Sequence, residues 1–149
     1  MAWYECKVTQ GKWVGDGQVK DFTEPVLVEA LSVTEAATRI TEEYGGSSLA
    51  TVEGVTRKRF QEVFLADKNW ERPFFLAKVS LTTLTEGSEA EREQTFRYLI
   101  EADTLKDAMQ RLEAEFRGTV SDWELLSLSK SPIVEVITRL MTIPDTTTE

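Results

Sequence analysis

Trp3 and Lys7, and again Phe74 and Lys78, set an aromatic ring and a cation four residues apart in segments whose apolar residues alternate. Successive side chains of a strand point to opposite faces, so residues four apart share a face. Tyr4, Cys6 and Val8 take the other face in the first segment, as Phe75, Ala77 and Val79 do in the second. A ring beside a cation is how single-strand binders stack bases and hold phosphates. The competing reading is a second hydrophobic layer between copies or subunits, made by Trp3 and Phe74 with Leu27 and Leu99. Arg57-Lys58-Arg59 is the one run of three basic residues. In a strand its members point both ways and cannot all meet one backbone. Arg57 corresponds to Lys130 across the repeat described below, and with Lys7, Lys78 and Arg97 the two are expected to form a cationic stripe in an otherwise acidic protein. An edge strand protected from aggregation by its charges is the alternative. The candidate nucleic-acid-binding set is therefore Trp3, Lys7, Phe74, Lys78, Arg57, Lys58, Arg97 and Lys130.

Other chemistry is excluded by what the chain lacks. It has no histidine, which removes imidazole ligands, histidine bases and every Ser-His-Asp or Cys-His arrangement. A single cysteine, Cys6, excludes internal disulfides and multi-cysteine zinc sites. Cys6 aligns with Ala77 and reads as a small core residue. Glu29 and Glu101 are a conceivable carboxylate pair for Mg²⁺, but no third ligand is in sight. The glycines of Gly11 to Gly17 lack the Gly-Lys-Ser/Thr ending of a phosphate loop. No catalytic residue, metal ligand or cofactor is expected.

The elements that position these residues come in two copies. Val26 to Gly46 aligns without a gap on Tyr98 to Gly118, an offset of 72, so that Glu29 falls on Glu101, Ala36 on Ala108, Arg39 on Arg111 and Gly46 on Gly118. Upstream, Trp3 to Val8 lies on Phe74 to Val79 at 71; downstream, Arg57, Glu62 and Val63 fall on Lys130, Glu135 and Val136 at 73. We therefore expect a tandem duplication of a ββαβ unit in an α+β fold, with mixed or antiparallel sheets. The expected boundaries are 1–65 and 73–143, with a linker at 66–72 and a frayed tail at 144–149.

In each copy a hairpin precedes a helix. Gly15-Asp16-Gly17 turns the first hairpin, and the loop 85–93 is read as a solvated tip of the second. Ser32 with Glu35 and Thr104 with Asp107 make capping boxes. Val33, Ala36, Ala37, Ile40 and Tyr44 share their spacing with Leu105, Ala108, Met109, Leu112 and Phe116, which predicts helices over 33–44 and 105–116 with one apolar stripe each. Gly45-Gly46 and Gly118 end them. Third strands are expected over about 49–65 and 122–137, interrupted near Gly54 and Pro132. A right-handed crossover sets the third strand parallel to the second, with the first between them. Two three-stranded units related by a pseudo-twofold, merged into one sheet or packed face to face, would follow.

At 149 residues, with 26 acidic against 17 basic side chains and a net charge of −9, the chain is a single domain ill suited to coating duplex DNA. The amino terminus has no charged or apolar leader pattern and no eighteen apolar residues run together, so a cytoplasmic protein with no membrane partner is expected.

Trp3-Tyr4-Glu5-Cys6-Lys7-Val8, the segment Thr23 to Ser32, the strand Arg57 to Phe64 and Phe75-Leu76-Ala77-Lys78-Val79 resemble domain-of-unknown-function family 4494, small proteins of Bacteroidetes and their phages. The resemblance implies a bacterial or phage setting, often of mobile DNA, and a bacterial cytoplasm as the location; it carries no activity or site residue over. Together these features lead to a non-catalytic binding protein, not an enzyme, with single-stranded DNA or RNA as ligand. A dimerising scaffold, a phage-encoded inhibitor or an accessory factor with a protein partner is the alternative.

Overall fold

The computed structural model describes residues 1–44, 50–67, 72–84, 91–119 and 122–139. The elements run β1 (Ala2–Trp13), β2 (Val19–Ala30), α1 (Val33–Tyr44), β3 (Ala50–Lys58), β4 (Glu62–Phe64), β5 (Phe74–Leu84), β6 (Glu91–Glu101), α2 (Leu105–Phe116), β7 (Asp122–Ser131) and β8 (Glu135–Ile137). They form an α+β fold with two separate four-stranded sheets, ordered β3-β1-β2-β8 and β4-β6-β5-β7. One merged sheet is thereby ruled out. In each sheet the first strand of a hairpin lies between its partner and the strand that follows the helix, as the crossover rule requires.

Local chemistry explains where elements begin and end. Gly15, Asp16 and Gly17 all take positive φ, which closes the β1–β2 hairpin where a β-branched residue would be strained. The Ser32 hydroxyl accepts the Glu35 N–H at 3.1 Å and the Thr104 hydroxyl accepts the Asp107 N–H at 3.1 Å, so both helices start on a satisfied donor. Gly118, at φ +85°, turns the chain out of α2. Gly45 and Gly46 lie outside the described residues, as do 85–90 of the expected second hairpin tip, 68–71 of the expected linker and the tail at 144–149.

Each helix covers one face of its own sheet, but with a narrower stripe than the spacing predicts. Ala36 and Ile40 of α1, and Ala108, Leu112 and Phe116 of α2, are buried, whereas Val33, Leu105 and Met109 are exposed. Val33 and Leu105 are the first residues of their helices. Met109 sits at the margin of a stripe that steps by four from Ala108. In the first unit Tyr4, Cys6, Val8, Val26 and Val28 meet the helix; in the second Phe75, Ala77, Val79, Tyr98 and Ile100 do so. Phe64, Tyr98, Phe116 and Trp123 form a chain of ring contacts through the second core, with centroids 5.0–5.7 Å apart.

The third strands break, and the fragment beyond each break changes sheet. Residues 59–61 separate β3 from β4 and 132–134 separate β7 from β8. Gly54 marks no interruption; it lies where the β1–β3 register shifts between Lys7 and Val8, and the β5–β7 register shifts at the corresponding Lys78/Val79. β4 pairs in parallel with β6 of the second unit, and β8 pairs in parallel with β2 of the first. The chain therefore divides as 1–59 with the segment from Pro132, and 60–131. These boundaries differ from those of the sequence repeat, because β4 completes the sheet of the β5–β6 hairpin and β8 that of the β1–β2 hairpin.

Ile40 and Leu112 are fully buried at the centre of the two stripes. Ile40→Ala and Leu112→Ala should each cost about 2–5 kcal/mol in chemical denaturation, with the exposed Met109→Ala near neutral as the comparison.

Candidate functional site

Directly opposed residues of an antiparallel pair share a face. Trp3 lies opposite Lys58, and Lys7 opposite Gly54 and Pro25, all on the helix-free face of the first sheet. In the second sheet Phe74 lies opposite Ser131 and Glu101, and Lys78 opposite Ser127 and Arg97. Arg57, however, lies opposite Tyr4 and Lys130 opposite Phe75, both core residues, so these two cations sit on the helix side of edge strands. The single cationic stripe expected from the sequence is thus divided between two faces. The cause is the parity of the β1–β3 and β5–β7 registers, which no local pattern reveals.

The rings are not equivalent. Trp3 is half-buried, while Phe74 is 3% exposed, and Leu27 and Leu99 on the same faces are fully buried. A ring with no open face cannot stack a base, so Phe74 is a core residue and not a platform. What remains accessible is polar: Lys7 and Arg97 are exposed, Lys58 and Lys78 half-buried, and Ser127 and Ser129 exposed along β7. Lys78 and Arg97 face each other across the β5–β6 ladder, and among the described residues neither has an acidic partner. Like charges directly opposed cost stability, and an anion between them removes that cost. In the first unit the equivalent place holds only Lys7 beside Pro25.

Glu29 and Glu101 are each engaged with the backbone of their own unit. The Glu29 carboxylate accepts the Arg139 N–H at 3.1 Å, and the Glu101 carboxylate accepts the Ala66 N–H at 2.9 Å, each just past the end of the exchanged strand of its own unit. Arg39 and Arg111, the arginines matched by the repeat, complete the arrangement. Arg39 donates to the Thr138 carbonyl at 2.8 Å and to the Glu29 carbonyl at 3.0 Å, and Arg111 donates to the Leu65 carbonyl at 3.1 Å. At the other end Val134 N–H donates to the Pro25 carbonyl at 3.0 Å and Gln61 N–H to the Arg97 carbonyl at 2.7 Å. The two short strands are latched alike at both ends. The identities Glu29/Glu101 and Arg39/Arg111 were the available signal, but the atoms they hold lie far away in sequence.

β8 has further partners of its own. Arg139 Nε donates to Glu35 at 2.9 Å, which holds that carboxyl below its ordinary range. The Tyr44 hydroxyl donates to Glu135; burial first, and this carboxylate second, raise the tyrosine above its usual value. Burial also pushes Tyr98 up, with Glu62 adding to it. The Cys6 thiol is pushed up to about 11, chiefly by burial and then by Glu5, so it stays protonated and inert at neutral pH. Among the described residues no group of three or more Cys, Asp or Glu could hold a metal ion, and no helix is long and apolar enough to cross a membrane.

Glu101 is 5% exposed, so removing its carboxylate leaves the Ala66 N–H without its partner. Glu101→Ala should lower unfolding free energy by about 1–3 kcal/mol, measured in urea, and should speed amide exchange at Ala66 more than at the β5–β6 ladder.

No curated protein and no solved structure matches the chain. A family model described as a domain of unknown function, DUF4494, matches residues 2–139.

Proposed function

Because the chain belongs to the DUF4494 family, whose description assigns no activity, we propose a function from its own residues: a non-catalytic binding protein that holds single-stranded DNA or RNA by its phosphates. The observation that carries this reading is the opposed pair Lys78 and Arg97, two cations on adjacent strands without an acid between them. Ser127, opposite Lys78 on β7, adds a hydroxyl donor to the same rank. In the first unit Lys7 holds the corresponding place, and Lys58 opposite the half-buried Trp3 lies four residues along the same face. The overall charge of −9 supports the preference for one strand over two, since it repels the denser charge of a duplex. The setting we attach to this role is phage or mobile-element DNA metabolism in a bacterial cytoplasm, supported by the resemblance in sequence. A tandem duplication is the history we propose for the two units, supported by their shared strand order, matched registers and matched bulge.

A second reading is favoured by a different feature. Where β3 stops pairing at Gln10, the β1–β2 hairpin continues as two strands and exposes Trp13, 70% accessible, with Val14, Val19 and Phe22. An apolar tip of that kind suits a protein partner.

Titrating a labelled oligothymidylate at low and raised salt separates the two. The first reading expects salt-sensitive binding in which Lys78→Ala and Arg97→Ala each lower the slope of log affinity against log salt by about 0.7, while Lys130→Ala, on the helix side, does not. Absence of any salt-dependent binding, together with a dimer by light scattering that Trp13→Ala dissolves, would replace it with the second.

A further inference from the structure

Every partner that β8 has among the described contacts lies in residues 1–59. Its ladder is made with Val26–Val28; its flanks are held by the Pro25 carbonyl, the Glu29 carboxylate, the Arg39 guanidinium and Glu35; and Glu135 is held by the Tyr44 hydroxyl. Ile137 completes the apolar core beneath α1 and Val136 is buried on the opposite face. The edge of β2 is therefore a strand-binding slot, with pockets for a carboxylate, an aliphatic side chain and an arginine in that order. The slot also discriminates. β4, the equivalent segment, carries Phe64 where β8 has Ile137 and Ala66 where β8 has Arg139, and its own slot offers Phe116 in place of Tyr44. A β4 strand in the first slot would lack the partner for Glu35 and overfill the site of Ile137.

We infer that the occupant of this slot can come from a second copy of the chain, so that the protein forms a closed dimer by reciprocal exchange of β8. Three observations carry the inference. None of the contacts above depends on which copy supplies the strand, so a swapped dimer keeps them all. The hinge between β7 and β8 is only three residues long, Pro132-Ile133-Val134, and short hinge loops are where exchange between copies arises. The chain, moreover, already hands this strand from one unit to the other, so nothing in the slot requires its donor to be adjacent in sequence.

The competition is one of effective concentration. A short tether presents its own strand at roughly millimolar levels, so exchange should become visible when the protein itself approaches that range. The test uses the full chain in two differently tagged forms, mixed, held at roughly 1 mM and then analysed by size exclusion with light scattering and tag capture. A variant with four glycines inserted after Pro132 is run beside it, since a long hinge lets β8 reach its own slot freely. The expected result is a mixed-tag dimer in the natural sequence and about tenfold less of it with the long hinge. A chain that stays monomeric throughout overturns the inference. So does a dimer equally abundant with the long hinge, which would assign the contact to the hairpin tip or to the free edges of β3 and β7. Val136→Pro, which removes β8 from the ladder, must also abolish the dimer; its survival there is equally fatal.

Discussion

A sheet edge whose own residues are buried, as Val26 to Val28 and Tyr98 to Ile100 are, cannot be left unpaired, because its N–H and carbonyl groups would be buried without partners. In both units that edge belongs to the second hairpin strand, β2 or β6, and is closed by only three residues. Three residues of parallel ladder are too few to hold a strand by themselves, and the Glu and Arg side chains supply the rest. One takes the N–H that follows the strand and the other donates to the carbonyl just before it. A charge-assisted bond at that terminus is worth roughly twice a neutral one. The four-stranded sheets, and with them the burial of Leu27 and Leu99 on the faces away from the helices, depend on this closure.

The same closure sets where a ligand can bind. With Phe74 buried, Arg57 and Lys130 turned to the helix side, and both Glu carboxylates occupied, the cations left accessible on the helix-free face are Lys7, Lys58, Lys78 and Arg97, and the exposed acids Glu93, Asp122 and Glu124 lie farther along the second sheet on the same face. Bulges re-aim the residues next to them, and those at Lys7/Val8 and Lys78/Val79 mark the rank at which the face changes from apolar to charged. The two units differ at that rank, where Pro25 in one is Arg97 in the other.

Much of the architecture was legible in the residues. A hydroxyl cap, an apolar stripe and a closing glycine mark 33–44 and 105–116 as helices without reference to anything distant, and Gly15-Asp16-Gly17 marks its turn in the same way. Alternation told which side of a strand Trp3 and Phe74 occupy, but not whether that side is covered. The exchange of β4 and β8 was out of reach for a different reason. Arg39 and Thr138 are 99 residues apart and Glu29 and Arg139 are 110, so the partners share no local pattern. A three-residue strand carries no periodicity to recognise, and a repeat in sequence predicts equally that each unit keeps its own.

The crossing of the two short strands is therefore the claim on which the account rests, and interstrand proximity measures it directly. Nuclear Overhauser spectra of the isotope-labelled chain should connect Leu27 with Val136 and Val28 with Ile137 in one sheet, and Leu99 with Val63 and Ile100 with Phe64 in the other. Contacts of Val63 with Leu27 and of Val136 with Leu99 would show each unit completed by its own strand, and would contradict the account.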